Sequence, residues 1–152
     1  MAGFEPAMRA WSSFIRAKAE IHRALGGEMR ERGLTGAKLG ILKVLAESGD
    51  EGLKLHEISQ RLFVTPGNLT GLVDRLEDAG YLQRAPHPED RRVTLAVLTP
   101  AGREVFEQIH PSHTARVTDL MSALSPPEQE LLAELLGRLA TRAAAMHEGE
   151  QG

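Results

Sequence analysis

The sequence predicts a mainly α-helical protein carrying one small β-hairpin, and three observations predict it. Apolar residues recur at the helical period in six segments, between residues 8 and 146. Three helix starts are spelled out by a capping residue followed by proline: Thr65-Pro66, Thr99-Pro100 and Ser125-Pro126. One stretch, Tyr81 to Leu98, reads as two short strands around a tip of prolines and charges.

The 152 residues suit one domain, or one domain with helical extensions. An apolar content of 41% is that of a globular chain, and with one Trp, one Tyr and four Phe the core must be mainly aliphatic. There is no cysteine, which removes disulfides, thiolate zinc ligands, thiol nucleophiles and thiol-based redox sensing. The longest apolar runs fall far short of the ~20 residues of a membrane span. The N-terminus, MAGFEPAMRAW, lacks a basic region leading into an apolar segment, so a cytoplasmic protein with no membrane partner is expected. A formal net charge of −3 weighs against a nucleic-acid partner.

The elements follow in order. Trp11, Phe14, Ile15, Ile21, Leu25 and Met29 form one stripe of a first helix over residues 8–32, interrupted at Gly26-Gly27 and ended at Gly33. Thr35 caps a second helix with Leu39, Leu42, Val44, Leu45 and Ala46 inward. Leu53 to Leu55 offers one short strand. Leu55, Ile58 and Leu62 line a third helix of about two turns. Phe63-Val64 then leads into a fourth, with Leu69, Leu72, Val73 and Leu76 at i, i+3, i+4 and i+7 and Gly80 closing it. Two helices joined by so short a turn, with a hairpin after them, make a winged helix-turn-helix.

In the hairpin, Pro86, Pro88 and the run Glu89-Asp90-Arg91-Arg92 form a tip that cannot lie mid-strand. A long helix from Pro100 carries Val105, Phe106, Ile109, Val117, Leu120, Met121 and Leu124, and Pro111 should kink it. Ser125-Pro126-Pro127-Glu128 is a capping box opening the last helix, whose Leu131, Leu132, Leu135, Leu136, Leu139, Ala143 and Met146 stripe is too wide for a helix without a partner. The tail HEGEQG should fray. Residues 35–99 therefore read as the winged helix-turn-helix, one structural unit, with 1–34 and 100–152 as a helical dimerisation region.

Catalytic signatures are missing. No G-x-S-x-G, H-E-x-x-H or phosphate-binding glycine loop occurs, and Gly36 to Gly40 lacks the Gly-Lys-Ser/Thr ending. The chain is not expected to be an enzyme or to need a cofactor. His110 and His113 stand three apart and could aim at one ion with His22 or Glu107, but two solvated histidines are the commoner outcome, and no metal site is assigned.

The fourth helix carries the chemistry. From Phe63 to Val73 there is no charged side chain. A helix entering the major groove needs short polar groups near its N-terminus, with its positive dipole end toward phosphate. An ordinary bundle helix explains the cap and the leucine stripe but not a charge-free solvent face. Thr65, Pro66, Asn68, Leu69, Thr70 and Arg75 are taken as recognition-helix residues, and Asp90, Arg91 and Arg92 as a wing. One arginine pointing out from such a hairpin can enter a narrow minor groove, and Asp90 can hold an arginine in place by a charge-assisted hydrogen bond. From Lys54 to Arg92 six basic residues balance six acids, but Asp74, Glu77 and Asp78 cluster at the far end of the fourth helix. Lys54, Arg61 and Arg84 are assigned further phosphate contacts, giving moderate, salt-sensitive binding to double-stranded DNA.

These residues match a known family. Val64-Thr65-Pro66, Leu69-Thr70, Leu72 to Glu77 and Gly80-Tyr81-Leu82, followed by Asp90-Arg91-Arg92, Val97-Leu98-Thr99 and Gly102, resemble the MarR family of bacterial regulators. The resemblance extends over the whole chain in length and element order. It implies an obligate homodimer built from the first and last two helices, binding a palindromic operator. It also implies repression relieved by a small-molecule effector, often an anionic phenolic compound, bound where dimer helices meet the DNA-binding lobe. Asp90 and Arg92 correspond to the family's D-x-R pair. Two positions depart from the pattern: Gly71 stands where a long polar residue is common, and Lys54 where Ser or Thr caps the third helix. Trp11, Phe14, Lys18 and His22 share one side of the first helix and are the candidate effector pocket, with Leu39 and Lys43. A Trp/Phe stripe at helical spacing is more often core. Two other readings stay open: a winged helix that docks on protein without touching DNA, supported by the low pI and Gly71, and a metal-responsive regulator using the histidines.

Overall fold

The computed structural model describes residues 4–62 and 64–150. Its elements are α1 (Phe4–Leu25), α2 (Gly27–Glu31), α3 (Gly36–Glu47), a 3-10 turn (Gly49–Glu51), β1 (Leu53–Lys54), α4 (Leu55–Leu62), α5 (Pro66–Asp78), β2 (Leu82–Pro86), β3 (Thr94–Leu98), α6 (Pro100–Met121) and α7 (Pro126–Glu150). The expected first helix is thus two, broken at Gly26. A side chain at that position would come within 2.7 Å of the His22 carbonyl oxygen. Phe63, expected in the turn between the third and fourth helices, lies outside the described residues.

Local chemistry sets the helix ends. Thr35 and Thr65 accept hydrogen bonds from the amides of Lys38 and Asn68, each at 3.3 Å. At Gly33 and Gly80 the backbone turns left-handed, with φ of 67° and 78°. Around Gly80 the amides of Gly80 and Tyr81 return to the carbonyls of Glu77 and Leu76, the double bond pattern that closes a helix at a glycine. Lys54 brings no capping oxygen to α4, and Glu57 supplies the other half of the box, its carboxylate accepting from the Lys54 amide at 2.9 Å.

The chain divides into two compact units, between His113 and Thr114, inside α6. In the first, the three strands form an antiparallel sheet in the order β1-β3-β2, with Leu53 opposite Ala96 and Leu82 opposite Leu98. Pro86 is accepted as the last residue of β2 because that strand is an edge, where a missing N–H breaks no ladder bond. The core gathers Leu39, Ile41, Leu42 and Leu45 of α3, Ile58 of α4, Leu69, Leu72, Val73 and Leu76 of α5, and Leu82, Ala96 and Leu98 of the sheet. Each fully buried leucine contributes about 1.5–3 kcal/mol. Met29, Leu34, Val105 and Ile109 join the same core, which therefore reaches beyond residues 35–99 on both sides.

The root of the hairpin is fastened by Thr99. Its amide donates to the Tyr81 carbonyl at 3.2 Å, its hydroxyl donates to the Gly80 carbonyl at 2.6 Å, and the same hydroxyl accepts from the Gly102 amide at 3.0 Å. Gly102 meets this joint so closely that a Cβ there would lie 1.8 Å from the Tyr81 oxygen. Only glycine fits.

The second unit holds the end of α6 and all of α7. Glu128 accepts from both the amide and the hydroxyl of Ser125, at 2.8 and 2.7 Å, as the capping box requires. The Gln129 amide group bonds the carbonyls of Met121 and Leu124, both at 3.0 Å, and pins the intervening turn. Leu131, Leu135, Leu136, Leu139 and Met146 are exposed on α7. Of the tail expected to fray, the backbone is helical through Glu150, and the last two residues lie outside the described residues. Among the described residues no helix is long and apolar enough to cross a membrane.

Candidate nucleic-acid interface

Helix α5 turns its apolar stripe inward and leaves a bare outer face. At about 100° per residue, Gly67, Gly71 and Asp74 fall opposite the buried Leu69, Leu72, Val73 and Leu76. Space is open beyond both glycines, with nothing within 4 Å of where a Cβ would sit. Asn68 and Arg75 flank this track on one side and Thr70 on the other, all exposed together with Thr65 and Pro66. The Thr70 hydroxyl donates back to the Pro66 carbonyl at 3.0 Å, which leaves its oxygen to act as an acceptor. Leu69 is a correction: at 2% exposure it is core and cannot meet a base edge. Its place at the start of the i, i+3, i+4, i+7 stripe is the physical reason.

The wing tip is shaped by its own short hydrogen bonds. The His87 amide donates to the Val93 carbonyl at 2.9 Å, the Val93 amide to the Asp90 carbonyl at 3.0 Å, and the Glu89 amide to Nδ1 of His87 at 3.1 Å. Asp90 then accepts from Arg92 three times, through the backbone amide at 3.0 Å, Nε at 3.0 Å and Nη2 at 3.2 Å. Those hydrogen bonds, side chain first and backbone second, hold the Asp90 carboxyl below the usual aspartate range, with His87 and Lys54 adding their fields. Arg91 and Arg92 are both exposed beyond the tip.

Among the expected phosphate contacts, Arg61 is exposed and Lys54 half-buried. Arg84 departs from its assignment. Its guanidinium is shared between Asp74, at 2.6 Å, and Glu77, and its amide donates to Glu77 at 3.0 Å. The sequence carried a signal for this: Arg84 lies two residues from the buried Leu82, hence on the inner face of the strand, where a cation needs a carboxylate.

The candidate pocket residues differ in exposure. Trp11 and Phe14 stack tilted at 5.9 Å on the exposed side of α1, with Lys18 and His22 exposed as well. Lys43 pairs with Glu47 at 3.8 Å. Leu39, 3% exposed, is a correction: it is core, and a ligand would reach it only by displacing its neighbours. Among the described residues no three His, Asp or Glu converge as a metal site would require.

Comparison with known proteins gives this architecture its place. A family model described as the MarR family matches residues 32–93. The HTH-type transcriptional regulator YkoM of Bacillus subtilis is 35% identical over 132 residues, which cover 87% of this chain and 84% of that protein. The crystal structure of Sco3205, a MarR family transcriptional regulator from Streptomyces coelicolor in complex with DNA, is 30% identical with a TM-score of 0.78, covering 88% of this chain and 84% of that one. NadR in complex with 4-hydroxyphenylacetate is 26% identical with a TM-score of 0.64, covering 84% of this chain and 89% of that one. With the winged helix-turn-helix laid out residue by residue and a 35% identical relative spanning most of both chains, this protein belongs to the MarR family of DNA-binding transcriptional regulators.

Proposed function

We propose that the chain acts as a homodimeric repressor that binds a palindromic operator and lets go of it when a small anionic phenolic compound binds. The observation that carries the DNA half is the pairing of an outer face on α5 that is free of charge from Pro66 to Val73 with an arginine held outward at the wing tip. A neutral helix face suits contact with base edges, and the fixed arginine suits a narrow minor groove. Thr65, Asn68, Thr70 and Arg75 provide base and phosphate contacts, Arg92 enters the minor groove, and Arg91, Arg61 and Lys54 neutralise phosphates. Half-sites then lie about one helical turn apart, as two copies of one module demand. The dimer reading is supported by the exposed apolar residues of α1 and α7, among them Trp11, Ile15, Leu135 and Leu139, which a second copy would cover. The ligand reading is supported by the complex of NadR with 4-hydroxyphenylacetate.

The test is selection of bound duplexes from random DNA, followed by titration of the winner with salt and then with 4-hydroxyphenylacetate. Two-fold symmetric sequences, steep salt dependence and release by the phenolic acid are expected. Binding that does not respond to salt would favour a protein-docking module instead.

A further inference from the structure

We infer that Arg84 serves DNA binding without touching DNA, by cancelling two of the three carboxylates of the recognition helix, Asp74 and Glu77. The inference rests on the DNA-binding reading above. Asp74 lies on the outer face of α5, one turn beyond Gly71, and its side chain is 54% exposed. Glu77 is on the adjoining flank at 37%. With the N-terminal half of α5 in a major groove, even carboxylates at its far end stand within range of the bordering phosphates, and each unpaired one opposes docking. Arg84 reaches both from β2. Nη2 donates to Oδ1 of Asp74, Nη1 to Oε2 of Glu77, and the backbone amide to Oε1 of Glu77.

The geometry needs arginine. A planar fork offers two donors to two acceptors at once, whereas a lysine ammonium is a single point charge. The arrangement is also electrically consistent. The Arg84 amide, with its guanidinium, keeps the Glu77 carboxyl below its ordinary range, and Asp74 and Glu77 raise the guanidinium above its own. Among the described residues, Arg84 is the cation that pairs with both acids.

Three roles for Arg84 make different predictions: a phosphate contact, a mechanical strut between β2 and α5, or this cancellation. The experiment uses the full-length chain and a duplex selected by the wild type from a random pool. Arg84→Gln is expected to weaken binding about tenfold, and the loss should shrink as salt rises, because partly exposed charges are screened. The triple variant Arg84→Gln, Asp74→Asn, Glu77→Gln, which has neither the cation nor the acids, should bind within about threefold of wild type. A triple variant as weak as Arg84→Gln alone overturns the inference, and so does an Arg84→Gln chain that binds normally. Should Arg84→Gln not fold, the triple variant decides by itself: near-normal affinity supports cancellation, and a tenfold loss in a folded chain refutes it. A wild type that selects no duplex would instead overturn the DNA-binding reading, and this inference with it.

Discussion

Arg92 and Asp90 form a two-pronged ion pair at the end of the hairpin, Nε to Oδ1 at 3.0 Å and Nη2 to Oδ2 at 3.2 Å, while the arginine side chain stays 90% exposed. The aspartate orients the arginine without covering it. So disposed, the side chain has lost part of its rotamer freedom before any partner binds it.

Arg92→Ala should therefore reduce duplex affinity about tenfold and leave the oligomeric state unchanged. Asp90→Asn, which only loosens the arginine, should cost about threefold. Because the Asp90 carboxyl is depressed below its ordinary 3.8, the pair is fully present above that value and is lost only as pH falls through the lower folded one. Gel-shift titration checks the first two outcomes, and NMR titration of the Asp90 carboxyl checks the third.

Gly102→Ala forces a methyl group to within 1.8 Å of the Tyr81 oxygen and 2.9 Å of Leu98 Cδ1. Neither backbone nor core can yield that distance without moving the hairpin root. A loss of about 3 kcal/mol in urea-induced unfolding is expected, the upper part of the range for overpacking.

Gly71→Ala should do the opposite. It sits mid-helix, with open space beyond its Cα. Replacing it removes a helix-weakening glycine and should stabilise the chain by about 0.5–1 kcal/mol, read as a raised Tm by circular dichroism.

Leu135→Glu combined with Leu139→Glu places two charges on an exposed apolar stripe of α7, where the side chains are 43% and 60% exposed. If a second copy covers that stripe, the wild type sediments as a dimer and the double variant as a monomer. A wild type that sediments as a monomer rejects the dimer reading.

Element order was legible because caps, helical periodicity and left-handed glycines all act over fewer than ten residues. Thr65-Pro66, Gly80 and the Leu69-to-Leu76 stripe specify their turns and faces by themselves. The assignments that moved were those decided by tertiary neighbours. Strand alternation with Leu82 put Arg84 on the inner face, but which acids it meets follows from β2 packing against α5, a pairing across seven and ten residues. Leu69 was readable, since a residue that starts the buried stripe cannot also face a groove. Gly26 gave only an interruption; that the helix restarts as the separate α2 follows from packing of Met29 and Leu34 into the core.

The hydroxyl of Thr99 bonds the Gly80 carbonyl across nineteen residues of sequence and so clips the hairpin shut at its base. Everything from Tyr81 to Leu98 is an excursion that leaves the helical framework and returns to the same point. Changes of length between Pro86 and Thr94 are absorbed beyond the clip and need not reach α5 or α6. The tip is in this sense an exchangeable part: a different tip on this root would leave the seat of α5 unchanged.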